Sequence, residues 1–258
     1  MIGDSPMKSL IDKLYEKKLW RQIQDGKKPH HIGVILDGNR RFARHKNLDI
    51  SVGHELGGEK LQQFLAWCWE FDVKIVTVWG FSTENAAREE KEVNALMDLL
   101  LRLLQKMQTD PLLKERHVNV KIIGQRERFS QAHIEEFRTV ENLTRHHRQY
   151  HLNLALGYGG RTEIVDSVKK IARSVKDGEL EIDAITEDTL SANLYTRGIP
   201  DPDLIIRTSG EERLSGFLLW QSAYSELYFT DVYWPAFTRS DFWRAMRSYQ
   251  QRQRRFGK

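Results

Sequence analysis

An aspartate, a glycine, an asparagine and two arginines follow a short apolar run near the start of the chain. The run His31–Leu36 leads into the segment Asp37-Gly38-Asn39-Arg40-Arg41. Backbone N–H groups at a helix start bind anions, and arginine holds phosphate oxygens through forked hydrogen bonds. Magnesium prefers one or two carboxylates together with phosphate oxygens. The segment therefore predicts a phosphate site with Asp37 as a metal ligand. The alternative is an ordinary helix cap with solvated arginines.

A second segment with the composition of a phosphate site follows the apolar residues Leu204–Ile206. Residues 207–216 contain two arginines, two glycines and several hydroxyl side chains. Loops that follow buried strands often carry binding residues. Arg207, Arg213 and Ser215 are the expected donors to a second phosphate group, and a surface loop with solvated charges is the alternative.

Two further polar features accompany these segments. Glu226 stands in the otherwise apolar stretch Trp220–Phe229. A carboxylate buried there needs a partner because burying it alone is costly, and the partner could be an arginine or a magnesium ion. The polar run Phe81–Asn85, with Arg88 beyond it, is interpreted as a loop that closes over a ligand. An ordinary turn into a helix is the alternative.

Short apolar runs alternate along the chain with segments of helical spacing. The predicted strands are His31–Leu36, Lys74–Phe81, Val118–Ile123, Leu152–Leu156, Leu204–Arg207 and Glu226–Phe229. The predicted helices are Gly57–Asp72, Glu92–Met107, an exposed Gln131–His147, Thr162–Val175, and Ser240–Gln253 with Ser240 as its N-cap. This alternation predicts an α/β fold, with a central, mainly parallel sheet flanked by helices. Ligands bind outside the carboxyl ends of such strands, which is where the polar segments stand.

The composition narrows the class of ligand. The net charge is +4, which fits anionic small molecules but is too small to indicate nucleic acid. Cys68 is the single cysteine, so an internal disulfide and a cysteine-based zinc site are excluded. The chain lacks an Asp-Asp-x-x-Asp pair, a phosphate-loop signature and a dinucleotide fingerprint. The use of ATP or NAD therefore has no support.

The N-terminal segment raises the question of membrane contact. No apolar run approaches the ~20 residues of a membrane span, and no signal peptide is recognisable, which predicts a cytoplasmic protein. Residues 1–28 are predicted to be an extension, in which Met7–Trp20 forms an amphipathic helix. That helix could rest on a membrane surface, as a peripheral contact, or pack against its own domain. Residues 29–258 are predicted to form the catalytic domain.

Several longer segments resemble one enzyme family. These segments are HIGVILDGNRRFA, GHELGGEKL, FSTEN, GYGGRTEIV, DLIIRTSGEERLSGFLLWQSAYSELYFTD and the terminal RRFG. In this order, from residue 29 to residue 257, they resemble the cis-prenyltransferases, the undecaprenyl diphosphate synthase or isoprenyl transferase family. The resemblance implies a magnesium-dependent homodimer with a hydrophobic tunnel in a single catalytic domain. The implied reaction condenses isopentenyl diphosphate with an allylic diphosphate, giving a (Z)-polyprenyl diphosphate and releasing diphosphate.

The resemblance also implies roles for individual residues. Asp37 and Glu226 correspond to magnesium ligands, and Asp37, Asn39, Ser82 and Asn85 are candidates for catalysis, without an order among the possible proton relays. The allylic diphosphate would contact Gly38, Asn39, Arg40, Arg41, Phe42 and His54, with Ser82, Asn85 and Arg88 on a mobile loop between the substrates. Isopentenyl diphosphate would contact Arg207, Arg213 and Ser215, and Arg255 and Gly257 would reach the partner's isopentenyl site.

Four positions depart from the family pattern. Ile50 stands where many members carry an arginine, Ala86 replaces an aromatic residue, and Gly157 and Gly216 replace asparagines. These departures leave open a prenyl transfer to a non-standard acceptor, such as an alcohol, or a non-head-to-tail condensation. A non-catalytic partner subunit is a further alternative. The small residue Gly80 favours a medium or long product.

Overall fold

The elements of the fold are known for residues 6–83 and 89–252 from a computed structural model, in which side chains are described from residue 13 onward. The strands are β1 His31–Ile35, β2 Ile75–Ser82, β3 Val118–Ile123, β4 Tyr150–Tyr158, β5 Leu204–Arg207 and β6 Glu226–Phe229. The helices are α1 Pro6–Ile23, α2 Asn39–His45, α3 Ile50–Glu70, α4 Glu90–Gln108, α5 Pro111–Glu115, α6 Gln131–Thr144, α7 Gly160–Lys176, α8 Glu187–Asn193 and α9 Arg239–Gln251.

The six strands form one sheet in the order β3-β4-β2-β1-β5-β6, and every neighbouring pair is parallel. The predicted α/β architecture is therefore confirmed. Strands β2, β4 and β3 lie on one side of β1, and strands β5 and β6 lie on its other side. The connections thus change direction between β1 and β5, which is the position where sheets of this kind bind ligands.

The predicted bounds of β3, β5 and β6 agree with the structure, whereas the predicted starts of α4, α7 and α9 are one or two residues late and that of α3 is seven residues late. Helix α3 begins at Ile50 rather than at Gly57, because the Asp49 side chain caps it by accepting a hydrogen bond from the Ser51 amide at 2.8 Å. The prediction that Ser240 caps the last helix is wrong. Thr238 is the N-cap, in a reciprocal pair with Asp241.

Helix α6 was predicted to be an exposed helix, and this is wrong for one of its faces. His133, Phe137, Val140 and Thr144 are buried in this helix. The two aromatic contacts of Phe129 with His133 and Phe137 show that this face packs on the segment between β3 and α6. The exposed residues Glu135, Arg138, Thr139 and Asn142 lie on the other side of the helix.

Helix α1 packs on α9. Leu19 and Ile23 are at most 1% exposed, and the ring centroids of Trp20 and Trp243 are 4.8 Å apart. This supports packing of the N-terminal helix against its own chain, while the side chains of Met7, Leu10 and Ile11 lie outside the described ones. Within the described residues, no helix is both long and apolar enough to cross a membrane.

Candidate active site

A cavity of about 600 Å³ lies between the sheet and helices α3 and α4. Its body is apolar, lined by Leu61, Leu65, Val78, Leu96, Met97, Leu100, Leu103, Leu104, Met107, Leu154 and Leu156. One end is polar and includes Asp37, Asn39, Arg40, Arg41, Arg44, His54, Ser82, Arg207 and Ser215. Gly80 lies in the wall of this cavity. The cavity suits a molecule with an anionic head and a hydrocarbon tail.

Asp37 stands at the centre of the polar end, two residues beyond β1. Its Oδ1 accepts a hydrogen bond from Arg41 Nη2 at 3.2 Å, and its Oδ2 accepts one from Arg207 Nη2 at 2.9 Å. The Asp37 carbonyl accepts hydrogen bonds from the Thr208 hydroxyl at 2.7 Å and the Trp234 amide at 3.0 Å. The pairing of β1 with β5 thus brings the two segments that were predicted to bind phosphate into one site.

Arg207 is the most buried cation of the site. Its side chain is 6% exposed. Nη1 donates to Ser215 Oγ at 2.8 Å and to the Arg213 carbonyl, so the guanidinium holds the loop that follows β5. Nε is buried and has no hydrogen-bond partner among the described residues. Arg207 is therefore held in place by its ion pair with Asp37 and by the loop after β5.

Glu211 joins the two segments a second time. Its Oε1 accepts a hydrogen bond from Arg41 Nη1 at 3.0 Å, and its Oε2 accepts one from Arg213 Nη1. Burial by itself would lower the pKa of the Arg41 guanidinium. The neighbouring carboxylates of Asp37 and Glu211 outweigh this effect and raise the pKa above its usual value. Charges of alternating sign therefore run from Arg213 through Glu211, Arg41 and Asp37 to Arg207. We call this row the arginine–carboxylate chain.

Two glycines of α3 determine the position of Asn39. A Cβ atom on Gly57 would lie 2.6 Å from Asn39 Oδ1, and one on Gly53 would lie 2.5 Å from the Asn39 carbonyl oxygen. Helix α2 can approach α3 this closely because both residues lack a side chain. The Asn39 side-chain oxygen is consequently buried, without a hydrogen-bond partner among the described residues.

Sequence reasoning missed Glu92 in the first turn of α4. Its carboxylate is 10% exposed and lies 3.5 Å from Arg40 Nε and 3.3 Å from His54 Nε2. Glu92 thus links α2, α3 and α4 at the cavity mouth. Acidic residues are common in the first turn of a helix, so the sequence carried no signal that set this one apart.

The remaining predicted residues divide into three groups. His54 and Ser82 are each 8% exposed and line the polar end of the cavity. Phe42 is half-buried in α2 and does not belong to the cavity lining. The positions Asn85, Ala86, Arg88, Arg255 and Gly257 lie outside the described residues.

The structure does not bring Glu226 to Asp37 within the chain. Glu226 pairs with Leu204 at the start of β6, whereas Arg207 pairs with Phe229 three residues later. At a rise of about 3.3 Å per residue, Glu226 lies about 10 Å along the strand from the level of Arg207. Its carboxylate is 3.1 Å from Arg252 Nη1. An arginine is therefore the partner of Glu226 within this chain, where the register does not bring the carboxylates of Glu226 and Asp37 to one ion; the role of Glu226 as a magnesium ligand stays a prediction.

Gly157 and Gly216, which depart from the family pattern, share a backbone property. Their φ angles are +57° and +96°, in the region that favours glycine and that asparagine tolerates best among other residues. Replacement of asparagine by glycine is therefore compatible with an unchanged backbone. Ile50 does not line the cavity, but Arg44 does, one turn after Arg40 on α2.

The side chains of the site can be examined for their ability to coordinate a metal ion. Among residues 13–83 and 89–252, no group of three or more histidine, cysteine or acidic side chains is placed to hold a metal. Magnesium often takes one or two carboxylates and completes its shell with water and phosphate oxygens. Asp37 alone, beside the arginines at the polar end of the cavity, fits that requirement.

Comparison with known proteins identifies the family. A family model described as putative undecaprenyl diphosphate synthase matches residues 35–257. The chain is 51% identical over 250 residues to an isoprenyl transferase of Thermus thermophilus, covering 95% of both proteins. The chain belongs to this family. The predicted class of enzyme, a prenyltransferase of the polyprenyl diphosphate synthase type, is thereby confirmed.

Other relatives and solved structures agree. The chain is 48% identical over 249 residues to the tritrans,polycis-undecaprenyl-diphosphate synthase (geranylgeranyl-diphosphate specific) of Thermoplasma acidophilum, covering 96% of both. Lavandulyl diphosphate synthase from Lavandula x intermedia, solved with dimethylallyl diphosphate, superposes with a TM-score of 0.86 at 33% identity, covering 89% of this chain and 98% of that one. A probable undecaprenyl diphosphate synthase from Campylobacter jejuni gives 0.73 at 31% identity, covering 90% and 100%.

Proposed function

We propose that the chain condenses isopentenyl diphosphate with an allylic diphosphate in the presence of magnesium, releasing diphosphate and forming a (Z)-polyprenyl diphosphate. The observation that carries the proposal is the arginine–carboxylate chain at the mouth of an apolar cavity. Arg41 and Arg207 supply donors for two diphosphates, and the apolar walls suit the hydrocarbon chain.

The allylic substrate binds with its diphosphate against the α2 segment and its chain in the cavity. Asn39, Arg40 and Arg41 face this end, and Arg44 adds a fourth polar group one turn later. Charge that develops on the leaving diphosphate is stabilised by these donors, which are fixed before the reaction begins. Asp37 would hold magnesium at this end, and the metal would supply further stabilisation of that charge.

Isopentenyl diphosphate binds against Arg207, Arg213 and Ser215. Its double bond attacks C1 of the allylic substrate, the C1–O bond breaks with the electron pair on diphosphate, and a proton leaves C2 of the isopentenyl unit. Holding both substrates in one site makes this encounter effectively unimolecular. Asn39, Ser82 and Asn85 are the candidates for orienting the reacting groups or relaying the proton.

The proposal includes a homodimer, in which Arg255 and Gly257 of one chain complete the isopentenyl site of the other. It rests on the family resemblance of the terminal residues RRFG. Native mass spectrometry of the purified protein measures the oligomeric state directly. A monomer that turns over at the full rate would overturn this part of the proposal.

The test is incubation of the purified chain with labelled isopentenyl diphosphate, magnesium and a panel of allylic primers. Geranylgeranyl diphosphate is the first primer to try, because the relative from Thermoplasma acidophilum is named as specific for it. We expect extended products from the wild type, and loss of most turnover in Asp37→Ala with an unchanged circular dichroism spectrum. No extended product from any primer would overturn the proposal, and it would favour a non-catalytic subunit.

A prenyl transfer to another acceptor is the second candidate. The similarity to lavandulyl diphosphate synthase and the isoleucine at position 50 favour it. Product mass and NMR separate the two candidates. A linear head-to-tail diphosphate rejects the alternative, whereas an ether or a branched product supports it.

A further inference from the structure

One carboxylate, Glu211, binds two arginines that serve different substrates in the proposed function. Arg41 comes from the segment assigned to the allylic diphosphate, and Arg213 from the segment assigned to isopentenyl diphosphate. Glu211 Oε1 accepts from Arg41 at 3.0 Å across 170 positions of sequence, and Oε2 accepts from Arg213 two residues away. Each oxygen of this carboxylate therefore engages a guanidinium group of a different site.

Carboxylates already occupy part of the donor set of Arg41 and Arg213. Arg41 donates from Nη1 to Glu211 and from Nη2 to Asp37, so both terminal nitrogens contact a carboxylate. Arg213 donates from Nη1 to Glu211. A guanidinium binds phosphate most strongly through two parallel hydrogen bonds. Carboxylates therefore take one N–H on each terminal nitrogen of Arg41, out of five in the guanidinium, and a diphosphate on the same face competes with them for these donors.

The carboxylates of Asp37 and Glu211 differ in the role that each can have once a diphosphate is bound. Asp37 would remain in the site as the residue that holds magnesium, so that its negative charge would be compensated. Glu211 is not assigned to a metal, and its negative charge repels a diphosphate. The hydrogen bond from Arg213 is the main cause that lowers the pKa of Glu211, so its carboxylate is charged at neutral pH.

We propose that Glu211 is an internal anion that occupies Arg41 and Arg213 while the site is empty and is displaced when diphosphates bind. The inference rests on the proposed function, because it takes both arginines to be diphosphate ligands. Glu211 keeps closely placed cations neutralised between turnovers. It also weakens the binding of diphosphate, including the diphosphate that is released as product.

A purely structural role of Glu211 predicts the opposite change in the affinity for diphosphate when its charge is removed. If Glu211 only holds Arg41 and Arg213 in the orientation that diphosphate requires, removing its charge disorders both side chains and weakens binding. If Glu211 competes with diphosphate, removing its charge strengthens binding. The direction of the change therefore separates the two roles.

The experiment titrates the full-length protein with inorganic pyrophosphate and magnesium in a calorimeter. Glu211→Gln keeps the size of the side chain and removes the charge. Two partly exposed ion pairs are lost, so we expect pyrophosphate to bind roughly fivefold more tightly at low ionic strength. Pyrophosphate should also inhibit turnover of this variant more strongly, by a similar factor.

Glu212→Gln is the matched control, because Glu212 is the exposed neighbour in the same loop. It removes the same charge without removing either ion pair, and we expect less than about a twofold change. Glu211→Asp retains the charge and should bind pyrophosphate more weakly than Glu211→Gln does. Unchanged or weaker binding to Glu211→Gln would overturn the inference, and so would an equal gain in Glu212→Gln.

The result can be separated from the proposed function. If the wild type extends a primer but Glu211→Gln binds pyrophosphate no more tightly, the inference fails and the function stands. If neither protein binds pyrophosphate, the inference fails as well. The primer assay with the wild type then shows whether prenyl transfer fails with it.

Discussion

Substitution of Gly57 by alanine tests whether the orientation of Asn39 matters for catalysis. The new Cβ would lie 2.6 Å from Asn39 Oδ1, about 1 Å inside the ~3.5 Å at which non-bonded atoms pack. The amide is the end of a side chain, so it can rotate away. Alanine is also the better helix former by roughly 0.5–1 kcal/mol. We therefore expect the free energy of unfolding to change by less than about 1 kcal/mol.

Activity should respond differently from stability. A displacement of about 1 Å in a positioning group can cost on the order of 100-fold in rate. We expect Gly57→Ala to lose about that factor in kcat for the first condensation, measured with labelled isopentenyl diphosphate, while urea unfolding stays near the wild type. A rate within threefold of the wild type, with the fold intact, would refute a requirement for the orientation of Asn39.

Two neighbouring glycines provide controls for this substitution. A Cβ on Gly58 would meet the flexible Leu103 side chain at 3.3 Å, so Gly58→Ala should keep both stability and the first condensation. A Cβ on Gly53 would lie 2.5 Å from the Asn39 carbonyl, which cannot move without shifting α2. Gly53→Ala should therefore lose about 1–3 kcal/mol of stability as well as activity.

Three further outcomes follow from the cavity and from a buried histidine. Arg44→Gln should raise KM for the allylic substrate about fivefold with little change in kcat, whereas Arg44→Lys should stay near the wild type; an unchanged KM in the glutamine variant would exclude contact. Gly80→Leu should shorten the products seen by mass spectrometry, because even a Cβ there lies 2.9 Å from Leu156. Burial lowers the pKa of His31 from 6.5 to about 4, so the unfolded chain binds a proton that the folded chain does not. Stability should fall by up to about 3 kcal/mol as the pH drops through this window, and a pH-independent stability would contradict the assignment.

The sheet was readable from the sequence because buried parallel strands are short and apolar. Strands β3, β5 and β6 have the predicted bounds, since each is flanked by polar or glycine residues that end its apolar run. The start of α3 could not be predicted from the sequence. Gly53 and Gly57 look unfavourable for a helix, yet they are required by the contact with Asn39, which only the tertiary structure reveals.

The sequence predicted which segments contribute to the candidate site, but not which of their side chains contact one another. The polar segments after β1 and β5 were found because both follow buried strands. The ion pairs by which Glu211 and Asp37 connect the two segments depend on β1 and β5 being neighbours in the sheet. The strand order of the folded protein determines this. The ion pair of Glu226 with Arg252 was not predictable for the same reason, because it depends on the register that places Glu226 at the start of β6; its role as a metal ligand stays a prediction.

The most direct test of the central claim is the mass and double-bond geometry of the product made by the purified wild type from geranylgeranyl diphosphate, isopentenyl diphosphate and magnesium. The account predicts linear diphosphates that differ by whole isoprene units, with a Z double bond in every unit added. A product in which the added units are all E, or in which the prenyl group is joined to anything other than isopentenyl diphosphate, would contradict it.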